Sequence, residues 1–188
     1  MSKPLDVLLV TPPSRVQVYQ ELSRDFAAIE PPVWSGLIAT FLRQHSCSVA
    51  ILDAEAEGLN HQQTADRIAA IAPRLAVFVI YGQQPSASTQ CMPAGRKVCE
   101  ILTALADIPT LVMGTHPSAL PKRTLLEEPY TYVCQGEGPA TILGLVIALR
   151  APQHSLREVP GLWHMEKGVP VGNAPAGIEE TTSEMDPA

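Results

Sequence analysis

The chain has 188 residues, 46% of them apolar and 17% charged, with a formal net charge of −6. This is material for one ordinary domain with a real core, plus a tail. The negative balance speaks against nucleic acid, whose phosphates attract basic surfaces, and no apolar run reaches the ~20 residues of a membrane span. The apolar part of MSKPLDVLLVTPP is too short for a signal peptide, so a cytoplasmic location is the expectation.

In chain order, DVLLVTP (6–12) opens as a strand, followed by a long loop over 14–30 that carries Arg15 and Tyr19. PPVWSGLIATFLRQHS (31–46) predicts a helix, with prolines suited to its first turn and Leu37, Ile38, Phe41 and Leu42 on one stripe. A second strand, SVAILDA (48–54), leads to a helix over 61–73 with Ile68 and Ile71 inward. LAVFVIYG (75–82) is the third strand. In the stretch 86–107, Pro93 and Gly95 predict a firm helix only from about Ala94. PTLVMGT (109–115) is the fourth strand, 119–129 a short helix, YTYVCQG (130–136) the fifth strand and 138–150 an apolar helix.

The apolar runs are continuous rather than alternating, as in strands buried on both faces. Five alternations of strand and helix imply an α/β fold: a doubly wound, five-stranded parallel sheet in the flavodoxin-like order 2-1-3-4-5. Residues 1–152 read as that unit. After it, PGLWHMEKGVPVGN (160–173) predicts a β-hairpin turning at Glu166-Lys167-Gly168, and the acidic GIEETTSEMDPA reads as a linker, so that 153–188 form hairpin and linker.

Ligands of an open parallel sheet bind outside the carboxyl ends of its strands. Those ends carry Thr11, Pro12 and Ser14; Asp53; Tyr81, Gly82, Gln83 and Gln84; Gly114, Thr115, His116 and Ser118; and Gly136, Glu137 and Gly138. Gly136 and Gly138, ahead of a helix, expose backbone N–H groups that favour phosphate or amide oxygens, or simply make a tight turn. Asp53 either accepts hydrogen bonds from a ligand or caps the next turn, while Glu55 and Glu57 are expected in solvent. Trp34 and Trp163 read as packing residues. His116 is open to four roles: metal ligand, acid–base group, cofactor contact or cap.

Familiar catalytic signatures are missing. There is no G-x-G-x-x-G after the first strand, no G-x-x-x-x-G-K-[ST] and no G-x-S-x-G. Cys47, Cys91, Cys99 and Cys134 form no C-x-x-C pair and read as small core residues or free thiols.

Five segments together carry a resemblance: VLLVTPP (7–13), EPPVWSGLIATFLR (30–43), VAILDA (49–54), GTHPSALP (114–121) and GEGPAT (136–141). They are similar to the N-terminal cobalamin-binding domain of cobalamin-dependent radical S-adenosylmethionine enzymes, whose corresponding places read Pro-Pro, P-L-G-L, I-D-A, G-G-P-H-A-T and G-E-G-E. The resemblance spans about residues 5–172. It implies a cobalamin lying across the carboxyl ends of the strands, its nucleotide tail in the sheet edge. It also implies a downstream barrel domain in cis, holding an iron–sulfur cluster on C-x-x-x-C-x-x-C and binding S-adenosylmethionine. The family includes methyltransferases using methylcobalamin and an anaerobic ring-forming cyclase.

Two departures stand out. The cluster motif is missing from these 188 residues, so this chain alone is not expected to run radical chemistry. Met113 replaces the first glycine of G-G-P-H, and His116 precedes Pro117 where the family has Pro before His. The D-x-H-x-x-G that supplies a lower histidine ligand in other cobalamin proteins is also missing: the first loop reads TPPSRVQVYQ. The resemblance therefore implies base-off cobalamin without a histidine ligand, with His116 at the cofactor edge or stabilising its turn. The competing reading is a degenerate α/β docking or regulatory module that binds no cofactor.

Overall fold

The structure, a computed structural model, describes residues 4–19, 31–81, 85–151 and 153–176. Along the chain lie β1 (Val7–Thr11), α1 (Arg15–Tyr19), α2 (Val33–Gln44), β2 (Val49–Asp53), α3 (His61–Ile71), β3 (Leu75–Val79) and α4 (Pro85–Leu105). They are followed by β4 (Thr110–Met113), α5 (Thr115–Ala119), α6 (Pro121–Glu127), β5 (Tyr132–Cys134), α7 (Pro139–Arg150), β6 (Leu162–Glu166) and β7 (Val169–Gly172).

The fold is doubly wound α/β. The parallel strands stand in the order β2-β1-β3-β4-β5, and the hairpin continues the same sheet as antiparallel β6 and β7, making seven strands rather than five. Strands β1, β3 and β4 are buried almost throughout, which is why their sequences are unbroken apolar runs. One face packs Val7, Leu9, Val77 and Leu111 against α2 and α7; the other packs Leu8, Phe78 and Val112 against α3, α4 and α6. The hairpin turns through Lys167 and Gly168, both at positive φ (50° and 80°), the twist that suits a two-residue turn.

Several sequence expectations are corrected. Leu37 and Ile71 are 39% and 37% exposed, and the buried stripe of α2 is instead Ser35, Ile38, Ala39, Phe41 and Leu42. Helix α4 does not wait for Ala94; it runs from Pro85 straight through Pro93. An interior proline costs a helix about 3 kcal/mol, offset here by burial of Met92, Ala94, Val98, Cys99 and Leu102 on the same helix. Gly95 is required there: a Cβ would stand 2.6 Å from both the Ile80 Cδ1 and the Tyr130 Oη. The short helix expected over 119–129 is present as α6, which starts on Pro121, and a further short helix, α5, precedes it from Thr115. Within the long first loop, Arg15–Tyr19 are helical; the rest of it, 20–30, lies outside the described residues, as does the acidic linker from 177 onward.

Cys47, Cys99 and Cys134 are buried core side chains, and Cys91 is half-buried. No helix among the described residues is long and apolar enough to cross a membrane.

Candidate functional site

Each parallel strand delivers its carboxyl end to one edge of the sheet. Thr11 pairs in register with Asp53, and the Thr11 carbonyl accepts a hydrogen bond from the Ala54 N–H at 3.1 Å. Asp53 adopts the capping role: its Oδ1 accepts from the Ala56 N–H at 3.2 Å. Pro12 is buried, and Ser14 starts the turn into α1. Glu55 is not in solvent as expected. Its carboxylate accepts from the backbone N–H of Arg15 and pairs with the Arg15 side chain at 3.8 Å, clasping α1 to the end of β2. The Cys91 thiol, on α4, meets Ser14; burial pushes it up from its ordinary value, the hydrogen bond with Ser14 opposing.

At the end of β3, Tyr81 stacks on Trp34 of α2, ring centroids 5.0 Å apart and planes 23° from parallel. Burial, together with Cys134 and Glu137, pushes the Tyr81 phenol from about 10 up to about 12. The neutral phenol is therefore the form the fold favours. Its stabilising contribution is complete below pH 10 and is lost as the pH climbs toward 12. Burial pushes up Tyr130 and Tyr132 as well, so alkaline titration of tyrosinate absorbance should show several late-ionising tyrosines and one fewer in Tyr81→Phe. Trp34 itself is 42% exposed and has Val33 (61%) and Leu37 (39%) beside it in the first turns of α2. An apolar patch at this edge, rather than scattered apolar residues, marks a contact surface. Gly82, Gln83 and Gln84 lie outside the described residues.

Beyond β4, Gly114 has φ 144°, and a Cβ there would meet the Ile80 carbonyl oxygen at 2.0 Å. The ends of β3 and β4 thus touch backbone to backbone. Ser88 fixes this junction, donating to the Ile80 carbonyl at 2.6 Å and accepting from the His116 N–H at 3.1 Å. His116 stands in the first turn of α5 and its Nδ1 meets the Thr89 hydroxyl at 2.9 Å. It is therefore tied sideways to α4. Thr115 is exposed, and the Ser118 hydroxyl accepts from the Gly136 N–H at 2.9 Å, joining α5 to the loop after β5. That bond uses one of the glycine N–H groups expected to be open to a ligand.

The two glycines of Gly136-Glu137-Gly138 differ. Both have positive φ, 104° and 103°. Around Gly136 a Cβ would find nothing within 4 Å, so the backbone faces open space, whereas at Gly138 it would strike the Met113 Cε at 2.4 Å. The fully buried Met113 side chain fills the room beneath α7, and Gly138 caps that helix over it. Sequence reasoning missed this pairing, although the replacement of a family glycine by Met113 was its visible signal. The Trp34–Tyr81 stack and the Ser88 clamp carried no signal at all.

The arrangement suits a broad, flat ligand: exposed aromatic and aliphatic surface at the α2 side, and bare backbone at Gly136 on the other. Comparison with known proteins gives the family and the fold. The family described as B12 binding domain matches residues 22–146, two-thirds of the chain. Among solved structures, the radical S-adenosylmethionine methyltransferase TsrM from Kitasatospora setae, with cobalamin and a [4Fe-4S] cluster bound, is similar at TM-score 0.70 and 18% identity, over 93% of this chain and 30% of that one. The cobalamin-dependent S-adenosylmethionine radical enzyme OxsB, with aqua-cobalamin and S-adenosylmethionine bound, gives 0.69 and 17%, over 95% of this chain and 23% of that one. No curated protein matches.

Proposed function

We propose, from the premise that this chain belongs to the B12 binding domain family, that it is the cobalamin-holding part of a radical S-adenosylmethionine enzyme, most naturally a methyltransferase using methylcobalamin. The cofactor of this family is cobalamin, which supplies the cobalt–carbon chemistry when bound. The chain's own residues supply the seat. Trp34 and Tyr81 form its aromatic wall, Gly114 and Gly136 keep the backbone low, and the Ser88 and Ser118 hydrogen bonds hold the loops after β3, β4 and β5 in place. Thr11, Ser14 and Glu137 border it from neighbouring strand ends.

The observation that carries the finer reading is the position of His116. It stands after the fourth strand rather than the first, with its Nδ1 hydrogen-bonded to the Thr89 hydroxyl of α4. The turn after β1, where a lower ligand would come from, offers Pro12, Pro13 and Ser14. On this reading Trp34, Tyr81 and the backbone at Gly114 and Gly136 would hold a base-off cobalamin to which the chain offers no histidine, and the cofactor would supply the methyl-transfer chemistry. The residues after β7 then lead toward a following domain that holds the iron–sulfur cluster and S-adenosylmethionine, in line with a chain spanning less than a third of its structural neighbours. Electron paramagnetic resonance of the cobalamin-loaded, one-electron-reduced protein tests this. The expected cobalt(II) spectrum has no axial nitrogen superhyperfine splitting; a resolved nitrogen triplet that vanishes in His116→Ala would assign the ligand to His116 and end the proposal.

A further inference from the structure

On the α4 flank of the sheet, a groove of about 350 Å³ runs between α4 and α6 and reaches His116 at one end. That is the size of a small-ligand pocket rather than of a packing defect. Two side-chain oxygen atoms along it lack a hydrogen-bond partner. The Thr124 hydroxyl sits on a side chain 2% exposed and has no hydrogen-bond partner. The Glu128 carboxylate has Oε1 near Arg96 at 3.7 Å, but its buried Oε2 has no partner.

Buried polar atoms in native proteins are almost always satisfied, so the Glu128 oxygen asks for an N–H donor and the Thr124 hydroxyl for a partner of either kind. The charges narrow its class. Arg96 and Arg123 stand with Glu127 and Glu128, so the wall is neutral overall but divided into cationic and anionic groups. A simple anion meets the two carboxylates, and a simple cation meets the two guanidiniums. A compact zwitterion satisfies both. Met92, 4% exposed, and the Pro93 ring add an apolar stretch.

We propose that this groove binds a free α-amino acid with an apolar side chain. Its ammonium group reaches Glu128 Oε2, its carboxylate the guanidiniums of Arg96 and Arg123 with the Thr124 hydroxyl, and its side chain lies on Met92 and Pro93. His116 closes the end of the groove nearest the sheet edge, which gives that histidine a place in a second site rather than under cobalt.

Isothermal titration of the full chain with L-leucine and L-phenylalanine tests it, alongside N-acetyl-L-leucine and L-leucinamide, which lack one charge each. The expected result is binding of the free amino acids, at least tenfold weaker binding of both blocked forms, and at least tenfold loss in Thr124→Val and Glu128→Gln. Because the Thr124 hydroxyl has no partner to lose, Thr124→Val should melt no lower than the parent without ligand. The visible spectrum of the cobalamin-loaded protein should be the same in both variants, so this site and the cobalamin seat succeed or fail separately. Absence of heat with either amino acid, equal binding of the blocked forms, or a lowered melting temperature of Thr124→Val overturns the proposal.

Discussion

Replacing Asp6 with alanine should cost the fold about 3–5 kcal/mol, the usual penalty for removing one partner of a buried ion pair. Asp6 is 1% exposed just before β1, at the amino end of the sheet opposite the candidate site. Its carboxylate accepts from Arg150 at 3.0 and 2.7 Å and from Ser48 at 2.8 and 2.6 Å, with Arg74 at 3.8 Å. One side chain thereby ties the start of β1 to the approaches of β2 and β3 and to the end of α7. Arg150 is well placed there for a second reason, as a cation at a helix C-terminus.

Burial alone raises a carboxyl, but the bonds from Arg150 and Ser48 outweigh it and hold Asp6 far below its ordinary 3.8. The sign of the pH effect follows. The unfolded chain takes up the proton first, so the contribution is fully present above about pH 5 and is lost as the pH falls below the unfolded value. Thermal melts of Asp6→Ala at pH 7 should fall on the order of 10 °C, and this variant should show a flatter acid limb than the parent. A melting temperature unchanged at pH 7 would mean that the Arg150 bonds contribute nothing net.

Most of the sheet was legible because burial on both faces leaves no alternation to misread; VLLVT and LAVFV admit few other readings. The hairpin was legible from Lys167-Gly168, but not its attachment to β5, since pairing partners at long range leave no local pattern. Helix faces were read less well where the helix meets the candidate site. Leu37 looks like core by spacing, yet α2 turns Ser35, Ile38, Ala39, Phe41 and Leu42 inward and leaves Leu37 39% exposed. Pro93 argued locally against a helix that tertiary burial then imposed. The candidate site was legible as a set of strand ends, because topology alone puts them on one edge. Its internal geometry was not, since it rests on serine hydroxyls, and on glycines whose need is set by neighbours: Gly114 by Ile80, Gly138 by Met113.

Those glycines allow the site to be tested apart from the fold. At Gly114 a Cβ would lie 2.0 Å from one backbone atom of Ile80, 2.8 Å from another and 3.0 Å from Ser88 Oγ, at a φ of 144°. Backbone atoms cannot swing aside, so Gly114→Ala must part the ends of β3 and β4. The expected cost is roughly 3–5 kcal/mol, overpacking and strained backbone together. Gly136→Ala meets open space and bears only the positive φ, a cost of about 1–2 kcal/mol. The first variant should lose stability and cobalamin together. The second should remain folded at 25 °C yet hold cobalamin more weakly on desalting, because its methyl group projects into the space the ligand needs. Unimpaired cobalamin retention by a folded Gly136→Ala would move the seat away from the end of β5, and a Gly114→Ala as stable as the parent would refute the backbone contact between β3 and β4 on which the seat is built.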